Sequence, residues 1–352
     1  MLSGIKHSVP VIAFFTILML IFGKIGQVAR PDDPDCDVWA KYYAEEDNTI
    51  DAVFIGSSGM YRYWIPAQAY KEQNYTSALI GSAGQDIRTA PYIMEEAVKS
   101  QDVKLFVVET RSAIFRGEID KVNTENLNYN LEILVSGMNP SYNKCKMIQD
   151  LYISDQGEKL TLMFPILRYH ENFISMDRQQ IADRMNPVNN EFKFANQSSK
   201  IKKQKEPVVE KSDKKYISDE AYGYLDDIVN KADELGVKVL FVSTPYSTTA
   251  KQGAVSIELD EYLEGKGYDY IDLNLYNDEI GLDYKIDFYN SRHTNISGAQ
   301  KVTTYLGTFI KDKYGLTSQL TDESKADWDN AVKVWDKEAA RLMDEWKEKA
   351  GK

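Results

Sequence analysis

Short apolar runs that alternate with segments of helical period narrow the fold of this chain more than any other feature. Residues 51–55, 77–80, 103–108, 237–243 and 268–273 each read as a buried strand. Between and after them, residues 67–73, 86–100, 219–235 and 297–314 read as helices, and Gly236 closes the third. Strands that alternate with helices over such short connections predict an α/β fold, a parallel sheet with helices on both faces in a three-layer sandwich. A sizeable core is available, because 43% of the residues are hydrophobic and 12% aromatic.

The alternation lapses over residues 115–216, a largely helical insertion expected to cap one end of the sheet. It has helical stretches at 131–137 and 160–172, then a polar, lysine-rich run over 189–215 that reads as a mobile solvated loop. Residues 321–352 form a charged amphipathic helix with Trp328, Val332, Trp335 and Leu342 on or near one stripe. Such a stripe packs back on the body or pairs with a copy of itself. No internal repeat is present.

The amino terminus sets the address. An apolar run from Val9 to Phe22, extended over residues 5–28 if Lys24 reaches the interface, attains the ~20 residues of a spanning helix. A cleaved signal peptide is the rival reading, but no small-x-small site follows at the usual distance. Residues 1–30 are thus expected to be an uncleaved single-pass anchor, with 31–352 as one extracytoplasmic domain. A net charge of −12 disfavours nucleic acid as a partner. Cys36 and Cys145 offer neither a disulfide framework nor a metal cluster, and could pair or stay as inert thiols. No cofactor or metal is expected.

In an open parallel sheet, ligands bind beyond the carboxyl ends of the strands. Gly56-Ser-Ser-Gly59 follows the first strand, Gly81-Ser-Ala-Gly-Gln-Asp86 the second and Glu109-Thr-Arg111 the third; Asp287-Phe-Tyr-Asn-Ser-Arg-His293 precedes the closing helix. Serine-type chemistry needs a hydroxyl, a base, a group that orients the base and donors for the oxyanion. Of three histidines, His7 lies in the apolar segment and His170 in the insertion, so His293 is the best-placed base. Ser57 and Ser58 could equally cap a following helix. Gly81 or Gly84 could offer an oxyanion amide, and Glu109 reads as a buried carboxylate beneath the site.

These blocks resemble the SGNH or GDSL-type hydrolases, over most of residues 50–115 and 217–316. The resemblance implies a flavodoxin-like sheet order, Ser58 as nucleophile, and the amides of Ser58 and Gly84 as oxyanion donors. The family's oxyanion asparagine is missing from Val107-Val-Glu-Thr-Arg111, so Thr110 or Arg111 would substitute. Its Asp-x-x-His block here reads Asn290-Ser-Arg-His293, which leaves Asn290, or Asp287 further back, to orient His293.

The anchor, the Gly-Ser-Ser block and the insertion are similar to membrane-anchored envelope proteins of the DltD kind and to those that work beside membrane-bound O-acyltransferases. That likeness implies a cell-membrane esterase or acyltransferase acting on acyl esters of a cell-surface polymer, a teichoic acid or an exopolysaccharide. A lysine run near 199–215 could meet an anionic lipid or teichoic acid phosphate. The other reading is a non-catalytic accessory protein that binds a surface glycan or an O-acyltransferase, with Asn290 and Thr110 as traces of lost chemistry.

Overall fold

The computed structural model describes residues 2–111, 124–186 and 197–351. Residues 115–123 and 187–196 of the expected insertion lie outside the described residues. The chain divides into two compact units, one of residues 1–44 and 124–188, the other of 45–123 and 189–352.

In the larger unit the strands β1 (Ala52–Gly56), β2 (Ser77–Gly81), β3 (Leu105–Glu109), β4 (Lys238–Ser243) and β5 (Asp269–Asp272) form one parallel sheet. Its order, β2-β1-β3-β4-β5, is a doubly wound one with its switch point between β1 and β3. Register pairs Gly56 with Gly81 and Glu109 with Val242, so the segments after β1, β2, β3 and β4 leave the sheet at one edge.

Side chains alternate across the strands. Ala52, Phe54, Leu105, Val107, Leu240 and Val242 face Trp64 and the buried stripe Val302, Leu306 and Ile310 of α6 (Ile296–Tyr314). The ring of Phe54 stacks on Trp64 at 4.1 Å. Val53, Ile55, Phe106 and Val108, also buried, point to the opposite face, where α3 (Ala90–Ala97) and α4 (Asp219–Leu235) pack on the sheet and on each other.

Helix ends follow local chemistry. Ser218 caps α4 through the Ala221 amide, and Gly236 ends it at φ 69°. Helix α5 (Ala250–Lys266) was not foreseen; Thr249 and Gln252 start it with a reciprocal capping box, and Gly267 closes it at φ 74°. The final helix, α7 (Asp322–Ala350), packs back on the body rather than standing free. Trp335, Ala339 and Leu342 close on Ile65, on Ala67 of α2 (Pro66–Gln73), and on Ile296 and Ala299, and Trp328 lies 5.2 Å from the Tyr70 ring.

The lysine-rich run departs from its expected mobile loop. Its described part is tied to the segment before α6: Lys202 N donates to Phe288 O at 2.8 Å, Gln204 N to Tyr284 O at 2.7 Å, and Ile296 N to Ser198 O at 2.8 Å. Backbone amides of the run find carbonyl partners there, while its lysine side chains, with Glu206, Glu210 and Asp213, stay in solvent.

The smaller unit brings the N-terminal helix Leu2–Ala29 together with the helices of 124–185, so these helices have a core with residues 1–44. Its last carbonyls are capped by side chains, with Asn172 Nδ2 on Ala29 O at 2.8 Å and Arg184 Nη1 on Val28 O at 3.0 Å. Val11, Phe14, Phe15, Ile17, Ile21 and Phe22 of this helix are exposed. Among the described residues no helix is long and apolar enough to cross a membrane. Cys36 and Cys145 are not joined in a disulfide.

Candidate active site

The two serines after β1 divide the roles that the sequence left open between them. Ser57, in extended conformation, caps the single-turn helix α1 (Ser58–Tyr61), accepting from the Gly59 amide at 3.3 Å and donating to Glu109 Oε2 at 3.2 Å. Its hydroxyl is therefore occupied. Ser58, one residue on, turns its Oγ to His293, 2.8 Å from Nε2.

The glycines that flank these serines are required by the carboxylate beneath. A Cβ on Gly56 would stand 2.6 Å from Glu109 Cβ, and one on Gly59 2.9 Å from Glu109 Cδ. No larger residue fits without moving the turn.

His293 is held by a short hairpin, β6 (Phe288–Asn290) and β7 (His293–Thr294), clamped at the start of α6. Asn295 fixes the clamp: its Oδ1 accepts the amides of Ser297 and Gly298, and its Nδ2 donates to Ile286 O at 2.6 Å and Lys200 O at 3.1 Å. Across the hairpin, Asn290 Oδ1 lies 3.1 Å from His293 Nδ1.

The same Asn290 oxygen accepts the Arg292 backbone amide at 2.8 Å. A main-chain N–H can only donate, so the amide oxygen, not its NH2, faces the imidazole. Nδ1 must then carry the proton, which leaves the Nε2 lone pair aimed at the Ser58 hydroxyl. That is the tautomer a general base needs.

Electrostatics keep this imidazole neutral. Partial burial, reinforced by the positive charges of Arg111, Arg62 and Arg292, pushes the His293 pKa down to about 3. The Tyr289 ring lies nearly parallel to the imidazole at 5.4 Å.

Arg111 is a buried hub behind the hairpin. Nη1 donates to Arg292 O at 2.8 Å, and Nη2 to Thr244 Oγ1 at 2.9 Å and Tyr63 OH at 3.2 Å. Its cation faces the Tyr246 ring at 4.5 Å, and Nε lies 3.7 Å from Glu109 Oε1. Tyr63 also donates to the Arg292 carbonyl at 2.7 Å, and burial pushes its pKa up to about 12. Burial raises the Glu109 pKa against the opposing pull of Arg111.

The site thus assembles Ser58, His293 and Asn290 and leaves other expected members out. Asp287 does not orient the imidazole. It is fully buried, with Oδ2 taking Lys301 Nζ at 2.7 Å and the Asp283 amide at 2.8 Å, while Asn290 meets Nδ1. Thr110 and Arg111 are not presented as oxyanion donors. The Thr110 hydroxyl is bound to Ser243 Oγ at 2.8 Å, and the Arg111 guanidinium is committed to the Arg292 backbone, Thr244 and Tyr63.

Gly84, at φ 65°, sits exposed at the tip of the turn after β2, next to the β1 turn by the Gly56–Gly81 register. His170 is exposed in the smaller unit. No protein-family model matches the chain, and no curated protein matches it.

Among the described residues, no group of three or more His, Cys, Asp or Glu side chains is placed to hold a metal. Sequence reasoning did not find the Arg292 amide, which decides the tautomer, nor Tyr63. The one local signal was the two-residue step from Asn290 to Arg292, the spacing of an Asx turn.

Proposed function

We propose that the chain is a membrane-anchored, extracytoplasmic SGNH-type serine esterase or acyltransferase that acts on acyl esters of a cell-surface polymer, a teichoic acid or an exopolysaccharide. The observation that carries the catalytic part is the hydrogen-bonded series Ser58, His293 and Asn290 at 2.8 and 3.1 Å, with the imidazole neutral. The polymer, the anchor over residues 5–28 and a membrane-bound O-acyltransferase partner rest on the resemblance and on the apolar N-terminal segment.

In this reading Ser58 Oγ bonds to the ester carbonyl carbon while its proton passes to His293 Nε2. The carbonyl oxygen becomes an oxyanion held by the Ser58 and Gly84 amides. Collapse breaks the bond to the alcohol oxygen, which takes the proton from Nε2 and leaves, and Ser58 stays acylated. Water or a sugar hydroxyl then gives its proton to Nε2 and attacks the acyl carbon. Ser58 departs, recovers that proton, and the product is a free acid or a transferred ester.

Asn290 holds the imidazole in the productive tautomer but supplies no charge to the imidazolium. The second reading, a non-catalytic accessory protein for a glycan or an O-acyltransferase, draws on that missing charge. Incubation of the full chain with an activated acetyl ester, quenched in acid and mapped by mass spectrometry, separates the two. The enzyme reading expects an acetyl group on Ser58 that His293→Ala abolishes; an unmodified Ser58 at every time point favours the accessory protein.

A further inference from the structure

Two arginines flank the Ser58–His293 pair in a protein whose net charge is −12. Arg62, half-buried, lies over the Tyr61 ring at 5.4 Å and the Tyr289 ring at 5.7 Å, and Tyr289 stacks on His293. Its backbone is fixed too, since Arg62 O accepts Thr294 Oγ1 at 2.8 Å. Arg292 precedes His293 directly, with its amide held by Asn290 and its carbonyl by Arg111 and Tyr63, while its residue is exposed to solvent. Both arginines are therefore carried on locked backbone beside His293, and the positive charge of each acts on the imidazole.

For a neutral ester this arrangement is counterproductive. His293 must become an imidazolium in the transition state, and each neighbouring cation opposes that step. Among the described residues, Asp287 and Glu109 do not serve as its counter-ion: Asp287 is bound to Lys301, and Glu109 lies beneath the turn against Arg111. An anion placed between Arg62 and Arg292 would cancel the opposing field at the moment the imidazole charges.

We infer that Arg62 and Arg292 form an anion-reading pair beside Ser58, so that the preferred ester bears a phosphate or carboxylate close to the scissile bond. The inference rests on the proposed Ser58 chemistry and specifies the substrate for it. Guanidinium forks match either oxyanion bidentately, and the substrate's own charge then supplies what Asn290 lacks.

The test compares phenyl acetate with aryl acetates that carry a carboxylate or a phosphate on the ring, in the wild-type chain and in Arg62→Gln/Arg292→Gln. The ratio of kcat/KM for each charged ester to that for phenyl acetate should fall about tenfold or more in the double variant. A ratio unchanged within about twofold would overturn the inference. The carboxylate and phosphate arms show which anion is read.

Binding is measured separately, by calorimetric titration of the Ser58→Ala protein with the phosphate-bearing acetate. Affinity should drop about tenfold when both arginines are replaced, and equal affinity contradicts the pair. If the wild-type chain cleaves none of the esters, the catalytic reading fails while this titration still decides the anion site.

Discussion

Asn290→Asp is the perturbation whose outcome depends most closely on the site geometry. It would place a carboxylate where the amide oxygen now stands, 3.1 Å from His293 Nδ1. At a charge separation of about 4 Å and an effective dielectric of about 20, such a pair is worth about 4 kcal/mol. Solvent at the half-buried Asn290 position roughly halves that, to an effective ~2 kcal/mol.

Two consequences follow. The His293 pKa, now held at about 3, rises towards the ordinary histidine range. The imidazolium of the transition state gains about 2 kcal/mol, or about thirtyfold in kcat. In the serine-protease template, Asp→Asn costs about 10⁴ chiefly through the wrong tautomer. Here the Arg292 amide already selects the right tautomer, so only the electrostatic part remains to be regained.

The assay is the pH profile of ester hydrolysis with both proteins. Wild type should lack an acid limb near pH 6.5, and Asn290→Asp should show a limb shifted upward together with faster turnover. A slower variant, or a limb that does not move, would refute the assignment of Asn290 as the orienting group.

The remaining expectations concern stability and the division of labour between the serines. Because the folded site rejects a proton that the unfolded chain binds at His293, stability should fall as pH drops from about 6.5 towards 3; urea midpoints should lose part of that slope in His293→Gln, and an identical slope would contradict the neutral imidazole. Glu109→Ala leaves Arg111 buried without its carboxylate and should cost about 3–5 kcal/mol in urea unfolding, whereas a loss below about 1 kcal/mol would deny the pairing. Trp335→Ala empties the seat of α7 on the body and should cost about 3–5 kcal/mol; a negligible shift in melting would mean that α7 contributes little. Ser57→Ala should lose about 1 kcal/mol from the cap while Ser58 remains reactive towards a phosphonylating probe, and loss of that reaction would reverse the roles given to the two serines.

The strands were legible in the sequence because buried parallel strands are continuous apolar runs, as in residues 105–108. Ser58 and His293 were legible for a related reason: each stands at the end of a regular element whose position the pattern fixes. Helix α5 escaped because its buried face carries only Val255, Leu259 and Leu263 as large apolar residues, diluted by Gly253, Ala254 and Ser256, which leaves Thr249 and Gly267 as its clearest marks.

The choice between Asn290 and Asp287 could not be made from spacing. It turned on a hairpin of two very short strands and on Lys301, fourteen residues after Asp287, which takes the buried carboxylate. The expectation for Thr110 and Arg111 failed because the partner a side chain meets beyond a strand end depends on its neighbours: Ser243 engages the Thr110 hydroxyl, and Thr244, Tyr63 and the Arg292 carbonyl engage the Arg111 guanidinium behind the hairpin. The expectation of a loose lysine loop failed for want of any sequence signal that its backbone would pair along residues 284–296.

The central claim, that Ser58 is a nucleophile activated by His293, is tested most directly by the rate at which a fluorophosphonate labels the full chain, with the adduct mapped by mass spectrometry. The geometry predicts a single phosphonylated residue, Ser58, with labelling abolished by Ser58→Ala and slowed at least about a hundredfold by His293→Ala. An unlabelled, folded wild-type chain, or labelling that persists at the same rate without His293, would contradict it.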